Sequence, residues 1–172
     1  MTKSLYVMRH AKSSWKDLSV PDFERPLAPR GERAARSMGH WLKSARPLPE
    51  LILCSTATRA VRTCQLITRS LGSSVQVHFE DGLYGASGTA LLARLHGLPD
   101  KVKSVLLIGH NPGVQDLLIE LASEGDPVRL VEVRAGFPTC AVATLRVNGH
   151  WSELGSFTAR VKDLVTPSTL PL

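Results

Sequence analysis

The chain has 172 residues, 43% of them hydrophobic and 21% charged, and 21 Lys+Arg against 15 Asp+Glu leave a formal charge of +6. That length suits one domain with a sizeable core, and 13 Gly and 11 Pro are too few and too dispersed for a collagen-like or low-complexity chain. No stretch approaches the ~20 consecutive apolar residues of a membrane span, and the apolar run Leu5–Met8 is broken at once by Arg9, so a cytoplasmic protein is expected.

In chain order, Ser4–Met8 reads as a first strand, short, apolar and followed by polar residues. Ala34, Met38, Trp41 and Ala45 then keep the spacing of one helix face. A second strand is expected at Leu51–Cys54, followed by a helix carrying Ala60, Cys64, Ile67 and Leu71 on its apolar stripe. Val75–Phe79 predicts a third strand, Thr89–His96 a weaker helix, and Ser104–Gly109 a fourth strand. Val114, Leu117, Leu118 and Leu121 predict the next helix, with Asn111 as its N-cap and Pro112 in its first turn. Near the end, Ala141, Ala143, Leu145 and Val147 alternate with more polar neighbours, Asn148-Gly149 offers a hairpin turn, and Trp151–Phe157 is read as the returning strand.

Strands alternating with helices predict an α/β fold: a three-layer α/β/α sandwich with a mainly parallel sheet and an antiparallel C-terminal hairpin. We expect a single domain over residues 1–165 and a loose tail over 166–172, with no internal repeat.

In an open α/β sheet, ligands bind outside the carboxyl ends of the strands. Arg9 and His10 follow the first predicted strand, and Ser55, Thr56 and Arg59 follow the second. Glu80 and Asp81 follow the third, and His110 and Asn111 the fourth. Each has an ordinary structural alternative: solvated loop for Arg-His, turn former for Glu80-Asp81, surface arginine for Arg59. Their convergence on one sheet edge is what points to a site. Arg62 and Arg69, seven residues apart, read as the solvent face of the same helix.

Other chemistries find no motif. There is no Gly-rich loop ending in Lys-Ser/Thr, no His-Glu-x-x-His, no Cys-x-x-Cys and no dinucleotide fingerprint. Three cysteines, Cys54, Cys64 and Cys140, carry no disulfide or metal spacing. The sequence pI of about 9.6 suits a phosphate-bearing partner, but the 14 arginines are spread along the chain and only nine residues are aromatic. No nucleic-acid site is expected.

The segments LYVMRHAKSSW (5–15), FERPLAPRGERAA (23–35), CSTATRAVRTC (54–64), LLIGHNPG (106–113) and FPTCAVATLRV (137–147) carry a resemblance. In order and spacing they are similar to the histidine phosphatase superfamily, which includes the phosphoglycerate mutases, and most of all to its small single-domain SixA-type phosphohistidine phosphatases. The resemblance implies a phosphoglycerate mutase-like fold and a metal-independent phosphatase that needs no cofactor and works through a phosphohistidine on the enzyme. It implies His10 as nucleophile, Arg9 and Arg59 as phosphate ligands, and His110 as the second histidine. The implied substrate is a histidine-phosphorylated protein. A small-molecule phosphomonoesterase and an inactive phosphate-binding module are the alternatives.

Physical chemistry suits these roles. Neutral imidazole has a nucleophilic nitrogen at neutral pH, and arginine's planar fork pairs with phosphoryl oxygens. His110, if protonated, would donate to a third oxygen. Ala11, Thr56 and Arg62 depart from the broad family pattern, as does Lys12, which adds positive charge beside the nucleophile. Lys12 and Arg25 are expected near the substrate, with solvated roles as their alternatives. Glu80, with Asp81 as alternative, is the candidate acid for protonating a basic leaving group.

Overall fold

The computed structural model describes residues 1–72, 74–122 and 127–170. Six strands form one sheet: β1 (Thr2–Arg9), β2 (Leu51–Ser55), β3 (Gln76–Glu80), β4 (Ser104–Gly109), β5 (Val142–Asn148) and β6 (Ala159–Val165). Their order is β3-β2-β4-β1-β5-β6. The β1–β4, β2–β4 and β2–β3 pairs are parallel, while β5 runs antiparallel to both β1 and β6.

Side-chain alternation along the central strands divides the core in two. Leu5, Val7, Leu53 and Leu107 face one side, with Leu91, Leu95, Leu117 and Leu118 from helices α3 (Gly88–His96) and α4 (Gly113–Leu121). Tyr6, Met8, Ile52 and Ile108 face the other, against Met38, Leu42, Cys64 and Ile67. Those residues lie on α1 (Pro29–Ser44) and α2 (Thr58–Leu71). The three-layer sandwich expected from the sequence is therefore present.

The order of strands places the site. β1 leads to α1 on one face, and its neighbour β4 leads to α4 on the other. Adjacent parallel strands whose connections leave in opposite directions open a crevice at their carboxyl ends. The β1–β4 register pairs Arg9 with Gly109, and the His10 amide donates to the Gly109 carbonyl at 3.0 Å. His10 and His110 thus leave the sheet side by side.

Three details differ from expectation. The returning strand is Ala159–Val165, not Trp151–Phe157, which opens with a short 3-10 turn over Trp151–Glu153. Trp151 is fully buried, and its indole N–H donates to the Val102 carbonyl at 2.9 Å. Its apolar character therefore serves packing against the loop before β4, not strand pairing. A fifth helix, α5 (Pro127–Ala135), has no counterpart in the expected elements. Pro112 occupies the N-cap position of α4, while the Asn111 side-chain amide donates to the Phe137 carbonyl at 2.9 Å.

Residues 166–170 of the expected tail form a turn, with Thr169 N–H donating to the Thr166 carbonyl at 3.0 Å. Leu170 packs against the α1–α2 side of the core. Residues 171 and 172 lie outside the described residues.

Candidate active site

His10, at the carboxyl end of β1, is 7% exposed. Its Nδ1 lies 2.7 Å from the Ala11 carbonyl oxygen. A carbonyl only accepts, so Nδ1 carries the ring proton and Nε2 keeps its lone pair. That lone pair meets the Nε–H of Arg59 at 3.3 Å. Burial, and then the charges of the neighbouring residues, push the His10 pKa down to about 3, although the Ala11 bond acts in the opposite sense. The ring is neutral at physiological pH, as a nucleophile must be.

The loop after His10 is held at several points. The Ala11 amide donates to Thr63 Oγ1 at 3.0 Å, and that hydroxyl donates to the Arg59 carbonyl at 2.7 Å. One threonine on α2 thus ties the loop after His10 to the backbone of Arg59. The Cys140 amide is shared between the Arg9 and His10 carbonyls, each at 3.0 Å, with Cys140 at φ 65°.

Arg59 enters from the first turn of α2 and is 6% exposed. Besides His10, its Nη2 donates to His110 Nδ1 at 3.4 Å and to Asp22 Oδ2 at 3.0 Å. Its Nη1 donates to the Asp22 carbonyl at 2.6 Å. Because Nδ1 of His110 accepts, its Nε2 carries the proton and donates to Ser55 Oγ at 2.7 Å. Burial, then Arg59, pushes the His110 pKa down to about 4, against the raising influence of Asp22. His110 is therefore neutral in the free protein, with its N–H directed to Ser55. The two imidazoles stand 5.0 Å apart between ring centroids.

Arg9 donates through Nη1 to the Phe137 carbonyl at 3.1 Å, while its buried Nε has no hydrogen-bond partner. Arg25 is 7% exposed, pairs with Asp22 Oδ1 at 3.1 Å and stacks on the Trp15 ring at 3.3 Å. Its Nε and Nη1 are likewise buried without partners. Arg9, His10, Lys12, Arg25, Arg59 and His110 all line one cleft of about 270 Å³. Three guanidiniums, a lysine and two neutral imidazoles around so small a space suit a phosphoryl group. Among the described residues no group of three or more His, Cys, Asp or Glu side chains is placed to hold a metal ion.

Not every expected residue reaches this cleft. The Glu80 carboxylate is held by Arg94 of α3, with Nε and Nη2 at 2.7 and 2.8 Å, and Glu80 does not line it. Asp81 accepts from Thr56 Oγ1 at 2.7 Å. Arg62, read as lying on the solvent face of its helix, is partly exposed and paired with Glu32 at 2.8 Å.

Two residues beside the cleft have no counterpart among the expected ones, Asp22 and Tyr84. The Tyr84 hydroxyl donates to Asp22 Oδ2 at 2.7 Å, and its ring packs edge-on against His110 with centroids 5.5 Å apart. Tyr84 stands four residues past the end of β3, beyond the Glu80-Asp81 pair, and Asp22 lies in the loop between β1 and α1. The one local signal for Asp22 is its spacing of three from Arg25, the partner it meets across a short 3-10 turn.

Residues 5–87 match the histidine phosphatase superfamily (branch 1). An uncharacterized protein of Mycobacterium tuberculosis strain H37Rv is 39% identical over 149 residues, covering 86% of this chain and 91% of that one. Phosphohistidine phosphatase SixA of Escherichia coli is 31% identical over 147 residues, covering 84% and 85%. A solved structure of the protein histidine phosphatase SixA complexed with tungstate superposes with a TM-score of 0.77 at 25% identity, over 96% of this chain and 97% of that one. The fold extends to a phosphoglycerate mutase from Bacillus anthracis, with a TM-score of 0.69 at 14% identity over 97% and 94% of the two chains.

Proposed function

Since this chain belongs to the histidine phosphatase superfamily and is a phosphatase, we propose that it hydrolyses phosphohistidine carried on a protein, through a phosphohistidine formed at His10. The observation that carries this reading is the state of His10. Its Nδ1–H is committed to the Ala11 carbonyl, and its Nε2 lone pair faces a cleft lined by Arg9, Arg59 and His110.

A phosphoryl group in the cleft takes the Arg59 N–H that now meets Nε2, which frees the lone pair. Nε2 then bonds to phosphorus as the bond from phosphorus to the substrate imidazole breaks. If the substrate ring is protonated on its other nitrogen, it departs as neutral imidazole. His10, keeping its Nδ1 proton, becomes the positively charged phosphoimidazole. One imidazole replaces another, so neither direction is strongly uphill, and catalysis consists of positioning and of neutralising phosphoryl oxygens. Water then attacks phosphorus, the bond to Nε2 breaks, His10 returns to its starting state and both water hydrogens stay with the phosphate. Arg9 and Arg59 supply the charge for both steps.

The small cleft supports a phosphorylated side chain presented from a protein surface, because about 270 Å³ holds a phosphoryl group and one ring and little more. The test compares phosphate release from a histidine-phosphorylated carrier protein and from 4-nitrophenyl phosphate, with wild type and His10→Ala. Release from the carrier should dominate and should vanish in the variant. Dominant His10-dependent ester hydrolysis would instead assign a small-molecule phosphomonoesterase, and no release from either would leave a phosphate-binding module.

A further inference from the structure

We propose that Asp22 is the proton donor to the leaving group when the site acts on a phosphate ester. The inference rests on the phosphoryl-transfer reading given above and extends it to substrates whose leaving oxygen is strongly basic.

Such a leaving group needs a proton in the transition state, and the donor has to sit on the side of phosphorus opposite the nucleophile. In this site the nucleophile lines the cleft, and the Asp22 carboxylate stands beside it at the other end of Arg59. His10 is 7% exposed and meets the Nε edge of Arg59, whereas the Asp22 side chain is 53% exposed and binds the Nη end of the same guanidinium. Arg59 therefore spans from nucleophile to carboxylate, and a phosphoryl group bound along it has its leaving atom toward Asp22. The Glu80 carboxylate is instead held by Arg94, whereas that of Asp22 is held by the Arg59 guanidinium that also meets His10.

Asp22 is also placed to change its protonation when substrate arrives. In the free protein the Tyr84 hydroxyl first, with Arg59 and Arg25 adding to it, holds its carboxyl below the usual range, against an opposing influence of burial second only to that of Tyr84. An incoming phosphoryl group competes for the Arg59 and Arg25 N–H groups that Asp22 now uses. It also brings a second negative charge against the carboxylate, and both effects favour proton uptake. The titrating and charged groups facing Asp22 are these two arginines and Tyr84, with His110 beside them.

The balance closes. Protonated Asp22 gives its proton to the leaving oxygen as His10 Nε2 bonds to phosphorus and the ester bond breaks, releasing a neutral alcohol or phenol. In the second half, ionised Asp22 takes one proton from the attacking water, the bond from phosphorus to Nε2 breaks, and inorganic phosphate leaves. Asp22 ends protonated and His10 neutral, as they stood with substrate bound, and when phosphate leaves Asp22 returns its proton to solvent and pairs again with Arg59 and Arg25.

The experiment is a leaving-group series with wild type and Asp22→Asn: 4-nitrophenyl phosphate, phenyl phosphate, and a phosphohistidine carrier protein. Asparagine keeps the shape and its amide oxygen accepts from Arg59, but its amide has no acidic proton to transfer to a leaving oxygen. We expect kcat/KM to fall ~100-fold or more on phenyl phosphate, and less than ~10-fold on the nitrophenyl ester and on the carrier. A merely structural role in holding Arg59 would lower all three by a common factor, and that result overturns the proposal. So does a wild-type enzyme that turns over the carrier but not phenyl phosphate, an outcome that leaves the phosphohistidine reading intact. Loss of carrier turnover from wild type would instead remove the reading on which the proposal rests.

Discussion

The two cleft histidines are buried uncharged, and this has a measurable consequence beyond catalysis. His10 titrates at about 3 and His110 at about 4 when folded, against an ordinary value near ~6.5 in the unfolded chain. Below that ordinary value the unfolded chain binds protons that the folded protein refuses, so stability falls as pH drops from about 6.5 toward the folded values and levels off beneath them. Between pH 7 and 4, His10 alone accounts for roughly 3 kcal/mol of that loss. His10→Ala should therefore show a shallower decline in urea-unfolding free energy over this range than wild type. Parallel declines would mean that the imidazole is not held neutral.

His10, Arg9, Arg59 and His110 were legible because each follows a predicted strand or opens the helix after it, and strand ends are where such sheets bind ligands. Glu80 satisfies the same rule, but chain order does not reveal that β3 is the edge strand, with β2 and β4 between it and β1 and Arg94 beside it. Asp22 escapes the rule from the other direction. It reaches the site from a 3-10 turn in a long loop and is held there by residues far along the chain, Arg59 and Tyr84.

Elements were read most accurately where the pattern was dictated by burial. β2 and β4 are buried along their whole length, and their uninterrupted apolar runs gave them away. α5 was missed because its sequence, PVRLVEVRA, places charges among β-branched residues, and packing of Leu130 and Val133 onto the core determines its state. The returning strand was misplaced because Trp151, an attractive strand residue, is used to seal the sheet end.

The junction of α1 with the loop after His10 yields a prediction at this scale. A Cβ on Gly31 would stand 2.2 Å from the Lys12 carbonyl oxygen, which is backbone and cannot swing away. That carbonyl accepts from the Ala28 amide at 2.8 Å, so the loop after His10 and the start of α1 are pinned together. Gly31→Ala should cost about 1–3 kcal/mol in denaturant unfolding, as overpacking does, and should lower kcat because any relief displaces the loop two residues from His10. Unchanged stability and turnover would show that α1 shifts without dragging the loop.

At the scale of the whole molecule, the two ends of the sheet do different work. The carboxyl end holds cations and imidazoles close together with few counter-charges, an arrangement that is useful for a phosphoryl group and unfavourable for the empty protein. The opposite end holds a compensated cluster. Lys3, 1% exposed, pairs with Asp100 Oδ1 at 2.9 Å and donates to the Gly149 carbonyl. The other Asp100 oxygen binds His150, and the Trp151 amide donates to Oδ1 at 3.2 Å. The start of β1, the loop before β4 and the turn after β5 are joined through this one carboxylate. His150 foremost, then Lys3, holds its carboxyl far below the usual range. The sign follows: the contribution is present at neutral pH and fades only as acid reaches the carboxylate, below the unfolded value near ~4. Asp100→Asn leaves the buried Lys3 ammonium without its counter-charge, so the unfolding midpoint should drop at pH 7 and the gap to wild type should narrow as the pH falls below 4. Phosphatase kcat and KM at pH 7 and low denaturant should stay at wild-type values, because the cluster lies at the far end of β1 from His10. An unfolding midpoint that does not move would mean solvent replaces the carboxylate at Lys3, and a change in turnover would mean the two ends of the sheet are coupled.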